Sequence, residues 1–359
     1  MENKIETKNK FKKPRKITKK NNQQKKTILK WKNFWDKYED IKIEEIGLEF
    51  RVYYSGELKE YETTFLFIHG AGYTSLTWSE VVLNLKKTSK LRLIAFDLRG
   101  HGSTFPFVSK NDRILDVNTL TIDILFLIHR LHLLDSDSSR LFLIGHSLGG
   151  SLVARVAKKI QEFNSENIPN QNDSNNINQN IPNQNNLNKC IVLIDAVEGT
   201  AMESLPNLER VIKNRPHSFS SISEAIEWAY QAHLTKSEIS AKISVPSQLV
   251  KISKNNTTKY LWRTNLIHTK KYWHGWFEGL SELFLSIQGC FKVLFLSNID
   301  FLDRPMTIAH MQGKFQLSIA YHTGHAIQED DPFKVAKVLY DVKEKLEKDR
   351  IRNLNLKLI

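Results

Sequence analysis

Apolar residues recur along this chain at two spacings. Short apolar or alternating runs predict strands over Leu48–Tyr54, Thr64–His69, Leu91–Asp97, Leu141–Gly145, Cys190–Asp195, Lys292–Ser297 and Lys314–Tyr321. Longer runs with apolar positions three and four apart predict helices over Leu76–Lys87, Ile114–Leu134, Leu148–Phe163 and Pro332–Lys348. Strands alternating with helices of this length imply βαβ units, hence an α/β fold with a mostly parallel central sheet flanked by helices. The rhythm breaks over residues 203–290. Helical patterns, Ile222–Ala232 among them, and Trp228, Trp262, Trp273 and Trp276 fall there, with no strand pattern. The expectation is a helical cap inserted between two strands of the sheet.

Two segments carry no periodicity. Residues 1–30 are rich in Lys, Asn and Gln and cannot bury enough apolar surface to offset ordering, so a disordered tail is expected. In Asn164–Asn188, twelve of 25 residues are Asn and three are Gln, a composition that builds no core and reads as a disordered surface loop. What remains, within residues 31–350, is enough for one large domain.

Charge sharpens this division. The 359 residues carry a net +13, and residues 1–30 hold twelve basic residues against Glu2 and Glu6, so +10 belongs to the tail and only +3 to the body. A body so nearly neutral is not built to grip nucleic acid. The basic stretch over residues 12–20 resembles a nuclear-import patch, with a merely solvated tail as the alternative. Cys190 and Cys290 cannot make the disulfide framework of a secreted domain, and no CxxC pair suggests zinc. The polar start lacks a signal-peptide core, and Ile124–Leu134 is too short, and too polar at its end, to span a bilayer. A cytoplasmic or nuclear protein is expected, without membrane association.

The chemistry concentrates at Leu141-Phe142-Leu143-Ile144-Gly145-His146-Ser147-Leu148-Gly149-Gly150, an apolar strand that runs through Gly-x-Ser-x-Gly into a helix. That is the context of a nucleophile elbow. The turn is so tight that its serine adopts a strained backbone, and Gly145 and Gly149 keep strand and helix from clashing. The helix start below Ser147 offers free N–H groups to developing negative charge.

A second strand ends in His69-Gly70-Ala71-Gly72. In an esterase such a loop gives one oxyanion-hole N–H and the residue after the nucleophile gives the other. Ala71 (or Gly70) and Leu148 are the expected donors. Phe96-Asp97-Leu98-Arg99-Gly100-His101-Gly102 looks like the turn after another strand of an α/β-hydrolase, with loop-shaping duties. A base should follow the last strand; Gly324-His325 fits, with His322 as competitor. For the acid, Asp195 and Asp300 both follow strands, and on spacing alone Asp300 holds the commoner position.

The resemblance then becomes specific. Ile194-Asp195-Ala196-Val197-Glu198-Gly199-Thr200-Ala201-Met202, Ala225-Ile226-Glu227-Trp228, Trp262-Arg263-Thr264, Lys271-Tyr272-Trp273-His274-Gly275-Trp276-Phe277-Glu278-Gly279-Leu280-Ser281, Met311-Gln312-Gly313-Lys314-Phe315-Gln316 and Gly324-His325-Ala326 resemble segments of the protein phosphatase methylesterases. The match runs from about Trp31 to Lys345.

The resemblance implies an α/β-hydrolase fold with an inserted cap. It also implies removal of the methyl ester from the C-terminal leucine of the protein phosphatase 2A catalytic subunit. The partner would be that subunit's C-terminal tail, together with its scaffold. The family's serine, aspartate and histidine carry over to Ser147, Asp195 and His325, which moves the acid from Asp300 to Asp195. This chemistry needs no cofactor and no metal. Trp273 and Trp276 are either core or the walls of a groove for the phosphatase tail.

The chain also departs from the family. His69-Gly70-Ala71-Gly72-Tyr73 lacks the third glycine and histidine often found after His-Gly, and a short basic stretch, Lys251–Lys259, replaces an acidic insertion. A general small-ester hydrolase, or a phosphatase-binding protein without turnover, would fit the same motifs.

Overall fold

The computed structural model describes residues 28–56, 63–87, 91–107, 114–135, 140–166 and 189–356. Residues 1–27 of the basic tail and 167–188 of the Asn-rich stretch lie outside the described residues.

The first part of the chain gives strands β1 (Lys37–Ile43), β2 (Leu48–Ser55), β3 (Thr63–Ile68), β4 (Arg92–Phe96), β5 (Phe105–Pro106), β6 (Arg140–His146) and β7 (Lys189–Ile194). Helices α1 (Ser79–Lys86), α2 (Val117–Arg130) and α3 (Leu148–Glu166) lie between them. α3 continues three residues into the Asn-rich stretch. β1 was not expected. Its residues are mostly exposed, so it lacks the apolar run of an inner strand.

The segment between β7 and the next strand of the main sheet contains α4 (Glu198–Lys213), β8 (Ser218–Phe219), α5 (Ile222–Gln231), α6 (Glu238–Ser247), β9 (Leu249–Lys254), β10 (Thr257–Trp262), α7 (Trp273–Phe277) and α8 (Leu280–Ser286). This corrects the purely helical cap: β8, β10 and β9 form a small antiparallel sheet. Its β9–β10 turn is Asn255-Asn256, with φ of 49° and 59°. Positive φ at both central residues is what a two-residue hairpin turn requires, and asparagine tolerates it. Phe219, Ala225, Ile226, Ala229, Ala241, Val245 and Leu249 give the cap its own apolar cluster.

The chain then returns through β11 (Cys290–Leu296), α9 (Arg304–Met311), β12 (Gln316–Ile319), α10 (Ile327–Asp330) and α11 (Pro332–Leu356). The main sheet runs β1-β2-β4-β3-β6-β7-β11-β12, with β5 beside β2. From β4 to β12 every neighbouring pair is parallel, while β2 pairs antiparallel with β1 and β4. β3 and β6 are buried at every position because helices cover both faces, which is why they read as unbroken apolar runs.

Two apolar clusters lie on opposite faces of the sheet. Leu66, Ile68, Leu143 and Leu193 belong to one, and Phe65, Phe67, Phe142 and Ile144 to the other, as the two-residue period of a strand dictates. Among the described residues no helix is long and apolar enough to cross a membrane.

Candidate active site

The carboxyl ends of β3, β6 and β7 and the loop after β12 meet at one edge of the sheet. Open parallel sheets place their sites at that edge. Ser147 follows β6 directly and has φ +54°. Its N–H donates to Ile194 O at 2.8 Å, which ties the elbow to the end of β7. A Cβ on Gly145 would lie 2.1 Å from Gly149 O, and one on Gly149 would lie 2.2 Å from Ile68 O. Neither position admits a side chain, so the glycines are fixed by close approach of α3 to β6 and β3.

Asp195, the residue after β7, also has positive φ, +50°, and its N–H donates to Phe295 O at 2.9 Å. This backbone turns its carboxylate toward the loop after β12. There His325 Nδ1 lies 2.6 Å from Asp195 Oδ2. The pairing holds Nδ1, and Nε2 has no partner among the described residues. The His325 carbonyl accepts from His146 Nε2 at 3.0 Å, and the two imidazole rings are 4.7 Å apart. His325 is thereby fixed against the residue preceding Ser147. Ser147 Oγ has no hydrogen-bond partner among the described residues.

Asp300 is not at this centre. It is exposed in a 3₁₀ turn four residues beyond β11, bonded to Asn298. His322 is also exposed, with φ +67°, and its carbonyl accepts from Lys236 Nζ at 2.7 Å. The His325 loop is tied from below by Asp330, which accepts from Gly324 N–H at 2.6 Å and from Lys236 N–H in the cap at 2.6 Å.

The loop after β3 rests on two histidines held neutral. His69 Nδ1–H donates to Gly70 O at 2.8 Å, and its Nε2 accepts from Leu98 N–H at 2.9 Å. His101 Nδ1–H donates to Arg99 O at 2.9 Å, and its Nε2 accepts from Gly72 N–H at 3.0 Å. Burial pushes His69 down to about 4 and His101 to about 3. Each ring therefore keeps the acceptor nitrogen that its backbone donor needs.

Tyr73 N–H donates to Gly70 O. The N–H groups of Gly70 and Ala71 are not engaged among the described residues, nor is that of Leu148 in the first turn of α3. His146 is wholly buried, which holds it well below the usual imidazole range. Its Nε2 carries the proton given to His325 O, and its Nδ1 is buried without a partner. These supporting roles of His69, His101 and His146 were not foreseen from sequence beyond a general structural duty. Their adjacency to glycine in His-Gly, Gly-His-Gly and Gly-His-Ser is the signal that could have flagged them.

Trp273 and Trp276 do not wall a groove. Both are buried in the main core, with Trp273 Nε1–H on Thr269 Oγ1 at 2.9 Å and Trp276 Nε1–H on Leu115 O at 2.7 Å. An indole whose ring is packed and whose N–H is satisfied has nothing to offer a ligand. Among the described residues no cluster of three or more His, Cys, Asp or Glu side chains could hold a metal ion.

Fold and site together define an α/β-hydrolase that acts on carboxylic esters. The alpha/beta hydrolase family matches over residues 65–338. Among solved structures, E-2-(acetamidomethylene)succinate hydrolase superposes with a TM-score of 0.63 at 16% identity, covering 85% of this chain and 98% of that one. A Mycobacterium tuberculosis esterase gives 0.58 at 17% identity, covering 86% and 91%.

Sequence relatives are more particular. The Caenorhabditis elegans "Probable protein phosphatase methylesterase 1" is 35% identical, covering 86% of this chain and 75% of that protein. Protein phosphatase methylesterase 1 of Mus musculus is 31% identical (87% and 83%), and that of Schizosaccharomyces pombe 33% (87% and 84%). The chain belongs to the protein phosphatase methylesterase family.

Proposed function

We propose that this chain removes the methyl ester from the C-terminal leucine of the protein phosphatase 2A catalytic subunit, using Ser147, His325 and Asp195. The observation that carries the reading is the 2.6 Å contact of His325 with Asp195 at the edge where the strained Ser147 elbow opens.

His325 Nε2 takes the Ser147 proton as Oγ attacks the ester carbonyl. Asp195 holds the Nδ1–H tautomer and stabilises the imidazolium. The N–H groups of Leu148 and of Ala71 or Gly70 hold the oxyanion. The tetrahedral intermediate collapses as His325 protonates the leaving methoxide to methanol. Water, deprotonated by His325, then hydrolyses the seryl ester and frees the carboxylate. No step calls for a metal or organic cofactor. Ser147 Oγ makes no hydrogen bond to His325 among the described residues; in this reading the bond forms when substrate fills the site, since catalytic hydrogen bonds are often long or absent in the apo state.

The test is incubation with methylated phosphatase 2A holoenzyme, scaffold included, following methyl loss by mass spectrometry. Wild type should release methanol, and Ser147→Ala should lower turnover by on the order of 10⁶ with an unchanged circular dichroism spectrum. Turnover of short acyl esters with no action on the methylated phosphatase would replace this reading with a general small-ester hydrolase.

A further inference from the structure

Beside the Gly72 end of the oxyanion loop lies a cavity of about 490 Å³. Its walls come from the end of α4, the cap sheet and the stretch after β10, with Gly72, Arg215, Gln248, Trp262 and Leu266 among them. No aspartate or glutamate lines it among the described residues. Lys213, also at the wall, is already paired with Glu209 at 2.7 Å.

Arg215 is different. Its guanidinium stands over the Trp262 ring, 5.6 Å from the centroid, and its Nε is buried without a hydrogen-bond partner. The indole beneath is held by its own bond to Pro216 O at 2.9 Å. No carboxylate is bonded to Arg215 among the described residues. An arginine does not shed its charge, so a largely buried guanidinium lacking a counter-charge is a strong receptor for an anion. Guanidinium groups favour carboxylates in particular, through paired charge-assisted bonds. The Trp262 ring attracts the cation and helps hold it at the cavity wall.

We infer that this cavity is a specificity subsite, in which Arg215 receives the carboxylate of an acidic side chain on the substrate polypeptide. The inference rests on the methylesterase reading for its substrate. A C-terminal ester has chain on one side only, so the acidic residue precedes the esterified one. The cavity touches Gly72, the neighbour of Ala71, which places it within a few extended residues of the reacting carbonyl. The apolar wall of Leu266 and Trp262 suits the methylene stem of such a side chain. Recognition of this kind separates one protein C-terminus from others that share the esterified residue.

The test uses short peptides ending in leucine methyl ester, with a single Asp placed at successive positions before the leucine, and their Asn counterparts. Binding is read by fluorescence anisotropy on the full chain carrying Ser147→Ala, so that turnover is not needed. The best-placed Asp peptide should bind roughly tenfold tighter than its Asn counterpart. That ratio should shrink as salt is raised. Arg215→Gln should bring it to about one, and Arg215→Lys should keep part of it.

Equal affinities at every position in the unaltered pocket, or a ratio that survives Arg215→Gln, would overturn the subsite. So would tighter binding of the free-acid peptide than of its ester through Arg215, which would make the pocket a site for the product carboxylate. If the affinity ratio holds but wild type releases methanol from neither peptide nor phosphatase, the methylesterase reading fails and the anion site stands.

Discussion

Asp195 and Asp300 show what a single residue's backbone decides. Both follow strands, and spacing alone favoured Asp300. Asp195 follows β7, the strand next to the one that carries Ser147, and its positive φ turns the carboxylate onto His325 Nδ1. Asp300 sits four residues past its strand in a turn capped by Asn298, facing solvent. Asp195→Asn should therefore lower kcat by roughly 10⁴ with little change in KM, since the imidazole tautomer is lost. Asp300→Asn should stay within about twofold. A larger loss in the Asp300 variant would reverse the assignment. Gly145→Ala belongs to the same scale. Its Cβ would collide with Gly149 O, and α3 cannot retreat without opening the core, so a loss of about 3 kcal/mol or more is expected by thermal unfolding. The elbow was legible because covalent geometry alone demands its glycines.

Elements meet at Glu329, in α10, which is buried and accepts from Thr77 Oγ1 at 2.6 Å, while its carbonyl accepts from Ser240 Oγ in α6 at 3.1 Å. It thus joins the turn before α1, the cap and the C-terminal helices. Burial pushes its carboxyl up to about 7, above the ordinary value of 4.5. The folded state holds this proton more tightly than the unfolded chain. The associated stability is present below about 4.5 and is lost as pH rises through about 7. His69 and His101, pushed down by burial, act oppositely: their contribution is present above the unfolded value of 6.5 and fades as pH falls toward 4 and 3. Glu329→Gln removes only the first effect. Between pH 5 and 8 the Tm of wild type should fall relative to the variant, and parallel Tm curves would refute this. Arg99 and Asp123 form a buried pair, Nε to Oδ2 at 2.7 Å, between the loop after β4 and α2. Asp123→Ala should cost about 3–5 kcal/mol in denaturant unfolding, because it leaves a charge buried. The cap sheet is the element hardest to see in the sequence. Val250, Ile252 and Tyr260 alternate with polar neighbours about Asn255-Asn256, a period-two signal hidden by the lysines of exposed strand faces.

At the scale of the whole molecule, +10 of the +13 charge falls in residues 1–30 of the sequence. Leu29, next to the first described residue, packs against one of the apolar clusters. A chain beginning at Ile28 should keep its Tm within about 2 °C and its turnover of small neutral esters within twofold, as checked by calorimetry and an esterase assay. A large loss of Tm would show that the basic segment contributes to the fold. The parallel sheet itself was legible in the sequence, since strands buried on both faces must be apolar throughout and the helices between them must be amphipathic. The edge strands β1 and β5 were not, because half-exposed strands carry little apolar signal.

By itself the sequence determined the alternation of β and α, the Gly-x-Ser-x-Gly elbow, the His-Gly loop and the histidine after the last strand. Each of these follows from local periodicity or from backbone geometry within a few residues. Periodicity and spacing left the acid open and the family resemblance pointed to Asp195; only the tertiary structure brought that carboxylate to His325, buried Trp273 and Trp276 in the core, and set Arg215 by the oxyanion loop with no counter-charge among the described residues. Those outcomes depend on strand order and on how the cap folds back, which bring together residues far apart in the chain. No local pattern encodes that proximity.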